Sequence, residues 1–217
     1  MIISLMIITT YFIVTLIYFL ILYKMTTKWS EGNTISMLIT IIMLSLIINF
    51  AQNYVYSASY SANNFCQVNL FKMSINTIIP WFIIMFPTFF FIAKFNWHRI
   101  FSNTFGLLLI DQEELKNIIV PNNKPKTGVL LQFYENPYIL IKEISFENKD
   151  DLEKKLNLLL PDENIKINEE MYNLLSKQFT KKILLGYAIW FFFIGVITSL
   201  VSINMVLLQQ CIPLDNE

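Results

Sequence analysis

Four long stretches of this chain carry no charged side chain: Ile2–Tyr23, Ile35–Tyr56, Met73–Ala93 and Ile183–Leu208. No other feature constrains the fold as strongly. The hydrocarbon core of a bilayer is about 30 Å thick, and roughly 20 helical residues cross it. Each stretch is long enough. Inside lipid every backbone N–H and C=O must be bonded within the protein, so runs of this length cross as helices. The expected fold class is α-helical membrane protein with four transmembrane helices. A hydrophobic share of 55% and a mean hydropathy of +0.51 exceed what a soluble domain usually carries. The first run has no basic residue ahead of it and no small-x-small site after it, so it is read as a retained span and not a cleaved signal peptide.

The spans divide the chain. Residues 1–95 hold three transmembrane helices (about 2–23, 35–56 and 73–95), residues 96–182 form a soluble domain, and residues 183–217 hold the fourth helix and a short tail. Lys24 and Lys28 lie in the first loop, and Lys94, Arg99, Lys177, Lys181 and Lys182 flank the third. The second loop, Ser57–Lys72, offers only Lys72, and the tail only Asp215 and Glu217. Basic residues near span ends favour the cytosol. Residues 96–182 are therefore expected on the cytosolic side, with both termini opposite.

Within the soluble piece, Thr127–Tyr134 and Tyr138–Phe146 are rich in β-formers and separated by "ENP", which predicts a hairpin. Asp150–Leu160 opens with acids and sets Leu152, Leu156, Leu159 and Leu160 on one helical face, ending before Pro161. Asn168 is placed to cap a further helix through Lys182, with Glu169 and Glu170 in its first turn, and that helix can run on into the fourth span. The expectation is a small α+β domain inserted between helices 3 and 4.

Several side chains stand out against the apolar background. Ser45, Asn49, Gln52, Asn53 and Tyr56 recur at three- and four-residue steps along the second span, with Tyr60 beyond, and form one polar stripe. Amides and hydroxyls in hydrocarbon need partners, so the stripe is expected to be a helix-packing face, with a solute path as the alternative. In the fourth span Gly195, Ser199 and Ser202 share a face, which suits close helix packing within the subunit or between copies as a homo-oligomer. Pro80 and Pro87 predict a bend in the third span. Cys66 and Cys211 fall on the same, non-cytosolic side; a disulfide and two free thiols both fit.

No catalytic constellation, metal cluster or nucleotide-binding glycine loop is legible, so neither an enzyme nor a cofactor is expected. A formal net charge of zero gives no reason to expect nucleic acid as a partner, which leaves the lipid bilayer and other proteins. His98 lies between Trp97 and Arg99, where an interfacial role is expected.

Past the third span runs "WHRIFSNTFG", Trp97–Gly106. Trp97 and Arg99 suit the headgroup level, Ser102, Asn103 and Thr104 can turn the backbone, and Gly106 permits a sharp change of direction. Phe101 and Phe105, four apart, are expected to pack against the third span or the domain, with the Asn103 amide facing outward as part of a partner surface. The order Phe101-Ser102-Asn103-Thr104-Phe105-Gly106 resembles a "PFSNTFGY"-like signature that an uncharacterised membrane-protein family of nucleocytoplasmic large DNA viruses places just after a hydrophobic helix. This chain has Ile100 in place of the proline and Leu107 in place of the final aromatic. The lysine-rich, Ile- and Asn-rich composition fits an AT-rich genome. The resemblance implies a structural protein of the viral inner membrane, derived from host endoplasmic reticulum, whose cytosol-facing domain touches the capsid or other virion membrane proteins. It implies no activity. A small membrane channel or transporter, suggested by the polar stripe, and a host-membrane remodelling factor of the virus factory are the alternative readings.

Overall fold

The computed structural model describes residues 2–25, 31–64, 66–67, 69–119, 131–132, 135–143, 148–159, 166–208 and 212–213. Helix α1 spans Ile2–Met25 and α2 spans Glu31–Asn64. The third apolar run comprises α3 (Leu70–Pro80), a π-helical stretch (Trp81–Met85) and α4 (Phe86–Lys94). Then come α5 (His98–Ser102), a 3-10 helix (Phe105–Leu109), α6 (Gln112–Ile119), α7 (Tyr138–Glu143), α8 (Lys149–Leu159) and α9 (Glu169–Leu207). Four helical segments are long and apolar enough to cross a membrane: Leu5–Lys24, Ile39–Ala62, Leu70–Lys94 and Glu169–Leu207. The helix predicted from Asn168 and the fourth span are one continuous element, α9.

The chain forms two compact units. The first comprises Met1–Tyr18, Ile35–His98 and Ala188–Glu217. Its core is built from one stripe of each span, with Ile7, Tyr11, Ile41, Ile48, Met85, Phe89, Ile92, Phe191 and Ile194 buried. The outer faces keep large apolar side chains exposed, such as Leu16, Ile47, Phe82 and Ile197, as lipid-facing helices do. Between the two prolines, where a bend is expected, lies a π-helical turn. Pro87 has no N–H to bond the turn before it, and the widened stretch accommodates the missing bond. Thr88 Oγ1 donates to Ile84 O at 2.5 Å beside it.

The second unit comprises Phe19–Thr34 and Arg99–Tyr187. Its small core is Ile110, Leu115, Leu152, Leu156, Ile167 and Leu175, with Leu107, Tyr138 and Met171 packed against it. Three side chains start its helices by accepting orphan backbone N–H groups. Asp111 Oδ1 takes Glu113 N (3.0 Å) and Glu114 N (3.1 Å), Asn148 Oδ1 takes Asp151 N (2.9 Å), and Asn168 Oδ1 takes Met171 N (2.7 Å). Leu152 and Leu156 face inward as their spacing predicts, whereas the side chains of Leu159 and Leu160 lie outside the described residues.

The β-hairpin expected here is corrected by the structure. Tyr138–Glu143 is helix α7, Leu131 and Gln132 are helical, and no strand occurs among the described residues of 96–182; 127–130, 133–134 and 144–147 lie outside them. The unit is helical where described, not α+β. Short apolar runs read alike for buried strand and buried helix. Pro137 tips the balance, since its missing N–H and fixed φ suit a first helical turn. Asn136 O accepts from Ile139 N at 3.1 Å just where α7 begins.

Candidate functional site

The polar stripe of α2 is the most built feature of the first unit. Ser45, Asn49 and Asn53 are four residues apart on one helical face, and all three are buried. Asn53 Nδ2 donates to Thr77 Oγ1 of α3 at 2.7 Å and to Ser202 Oγ of α9 at 2.5 Å. Asn49 Oδ1 accepts from Ser199 Oγ of α9 and from Tyr11 OH of α1, the latter at 3.3 Å. Trp81 Nε1, in the π-helical stretch, donates to Ser45 Oγ at 3.0 Å and to Ile42 O at 3.1 Å. Ser202 Oγ donates to Asn76 O at 3.2 Å, and Asn76 Nδ2 returns to Met205 O at 3.2 Å. All four spans contribute to this polar cluster, which comprises two bonded networks, one around Ser45 and Asn49 and one around Asn53.

Gly195 makes room for it. A Cβ there would overlap Tyr11 Cε1 and lie 2.5 Å from Cδ1 and 2.9 Å from Cζ, so the Tyr11 ring lies directly on the glycine. The same ring meets Phe191 edge-on, centroids 5.8 Å apart. Hydrogen bonds between membrane helices contribute only about 0.6 kcal/mol each on average. The cluster therefore acts chiefly on specificity. In hydrocarbon every helix face is equally greasy, and these bonds fix which faces meet and in what register.

The structure brings together the α2 stripe and the small residues of α9, which sequence treats as separate features. It also adds Tyr11, Asn76, Thr77 and Trp81, which no periodicity marked. Two stripe members lie outside the bonded cluster. Tyr56 is half-buried and stacks on Tyr60, centroids 6.4 Å apart. Gln52 is also half-buried, and neither end of its amide has a partner among the described residues. Asn49 Nδ2, Asn53 Oδ1, Ser57 Oγ and Thr198 Oγ1 are buried and likewise unbonded among the described residues.

The motif Trp97–Gly106 straddles the division between the units, and each part is described within its own. In the first unit, the turn that ends α4 is made by Asn96, at φ 54°, where an amide side chain tolerates the left-handed region. Trp97 N bonds back to Ile92 O at 3.1 Å, the long bond of a Schellman cap. Trp97 is largely exposed, its ring lies against Phe91 and Phe95, and its carbonyl accepts from Trp190 Nε1 at 3.1 Å. His98 is buried.

In the second unit Arg99, Thr104 and Phe105 are exposed, and Thr104 Oγ1 donates to Ile100 O at 2.9 Å. Phe101 and Phe105 do share a face, centroids 6.2 Å apart, with Phe101 half-buried and Phe105 51% exposed. Ser102 is buried, and Asn103 Oδ1 is buried without a partner among the described residues. Against the expected arrangement of rings in and amide out, Phe101 and Asn103 are both half-buried. A Cβ at Gly106 would lie 2.9 Å from Lys182 O and 3.2 Å from Lys182 Cα. That backbone contact holds position 106 inward.

At the other end of the first unit, Cys66–Gln67 (β1) pairs antiparallel with Ile212–Pro213 (β2), with Cys66 opposite Pro213 and Gln67 opposite Ile212. The second loop and the tail thus meet through backbone. Cys211 lies outside the described residues, and with it any bond to Cys66. Among the described residues no group of three or more His, Cys, Asp or Glu is arranged to hold a metal ion. Comparisons with protein-family models, curated proteins and solved structures each return no match.

Proposed function

We propose that this chain is a structural membrane protein of a large DNA virus, which anchors an assembly- or capsid-facing unit in the viral inner membrane. The observation that carries the proposal is the "WHRIFSNTFG" stretch and the way its residues divide. Ser102 and Gly106 are taken up by folding, whereas Arg99, Thr104 and Phe105 remain exposed within the second unit for a protein partner. A four-span bundle locked by a buried polar cluster supports an anchoring role. In this reading the second unit faces the cytosol, the termini face the lumen of the host endoplasmic reticulum, and capsid or other virion membrane proteins are the partners. Quantitative proteomics of purified particles tests it. The chain should fractionate with the particle membrane at structural copy number, and its absence from particles would refute the proposal while leaving a remodelling factor of the virus factory in play.

A second reading, a small channel or transporter, draws on the unbonded amide and hydroxyl groups along α2 and α9. Purified protein in liposomes would then pass a solute or ion, and Asn49→Leu or Asn53→Leu would abolish the flux. The bonding of Ser45, Asn49 and Asn53 to three neighbouring spans favours the anchoring role.

A further inference from the structure

We propose that the interior of the four-span bundle is a built water-binding site, centred on Asn49, Asn53, Ser57 and Thr198. The inference holds under either functional reading, because it depends only on groups inside the first unit. Asn49 and Asn53 each use one end of the amide on neighbouring spans. Nδ2 of Asn49, Oδ1 of Asn53, the Ser57 hydroxyl and the Thr198 hydroxyl have no partner among the described residues. None of the four residues is more than 4% exposed. Exchanging oxygen and nitrogen in either amide leaves one unbonded end on each, so the shortage does not depend on how the amides are oriented.

The chemistry of the unbonded set selects the guest. A cation would meet the Asn49 N–H, and an anion would meet the Asn53 carbonyl. A buried ion would also lack any charged side chain to pair with, at a cost that neutral dipoles cannot offset. Water donates and accepts, and it serves both ends. Spacing agrees: Asn49, Asn53 and Ser57 follow one another at four-residue steps, a rise of about 6 Å each. A water making two bonds of about 2.8 Å at a tetrahedral angle spans about 4.5 Å, so it bridges side chains one step apart whose ends lean toward each other. Thr198 precedes Ser202 by one such step on α9, and Ser202 already bonds Asn53. Buried water typically makes about three hydrogen bonds to groups that would otherwise go unbonded.

Two measurements on the full chain test this. The first is water-edited solid-state NMR of asparagine-labelled protein in lipid bilayers, with the two side chains assigned from the signals lost in Asn49→Ser and Asn53→Ser. Magnetisation from water should reach both side chains much sooner than it reaches the buried Phe191 and Ile194. The second is thermal unfolding of Thr198→Val and Ser57→Ala, which remove hydroxyls that make no bond to protein. If those hydroxyls hold water, each variant loses stability, with Tm lower on the order of 2–4 °C. If the site is dry, deleting an unbonded buried hydroxyl leaves Tm unchanged or raises it. Slow transfer to both asparagines, or a Tm at or above wild type in both variants, overturns the proposal.

Discussion

Replacing Gly195 with alanine adds one carbon where the Tyr11 ring now lies, at 2.5 Å from Cδ1 and nearer still to Cε1. The helix backbone of α9 cannot yield, so the ring must move. Forcing an extra methyl into a packed core costs about 1–3 kcal/mol. Displacing the ring also puts at risk the one bond that the Tyr11 O–H donates, shared between Asn49 Oδ1 and Ser45 O and worth about 0.6 kcal/mol between membrane helices. A total near 2–3 kcal/mol corresponds to a Tm lower on the order of 4–12 °C for a chain of this size. Thermal unfolding of the purified protein in detergent reads this directly. A double-mutant cycle isolates the cause. In a Tyr11→Ala background the ring is gone and the alanine methyl enters the space it left, so Gly195→Ala should then cost almost nothing. Additive losses, within about 0.5 kcal/mol, would show that the glycine serves something other than Tyr11.

Three further outcomes are expected. Gly106→Ala meets backbone at Lys182 O and should loosen the second unit by about 1–3 kcal/mol, seen as faster amide exchange in α5 and the following 3-10 helix with the spans unaffected. Asp111→Ala removes the cap of α6 and should cost about 1 kcal/mol, whereas Asp111→Asn keeps the accepting oxygen and should recover most of it. For sidedness, a cysteine placed at Lys124 in a chain lacking Cys66 and Cys211 should be labelled from the cytosolic face of intact microsomes; shielding of that position would invert the orientation.

The four spans were legible because lipid demands uncharged runs of a set length, and the stripe of Ser45, Asn49 and Asn53 because polar groups against hydrocarbon reveal helical phase directly. Its partners were not. Tyr11, Thr77 and Trp81 sit in apolar runs where sequence says nothing about which residue of one helix lies beside which residue of another. The hairpin failed for the opposite reason: Tyr138–Glu143 looks β-rich by composition, and the decisive residue was Pro137, read as a turn when it began a helix. Sequence likewise places the turn after the third span at Ser102–Gly106, whereas Asn96 makes it earlier, because only the backbone shows which amide occupies the left-handed region.

The π-helical stretch at Trp81–Met85 changes what the third span can tolerate. One residue more than an α-helical turn advances the phase of everything beyond it by about 100°. Thr77, before the stretch, and Trp81, at its start, bond to the stripe of α2, while Phe89 and Ile92, beyond it, are buried in the shifted phase. Substitutions within the stretch change a side chain. A single-residue deletion there would remove the extra residue together with the wide turn, leaving ordinary α-helix with both halves in their present phase. Rewinding the turn at unchanged length would swing the far half by about 100° and exchange its buried and lipid-facing positions, so the wide turn and the residue count of the span are tied to each other.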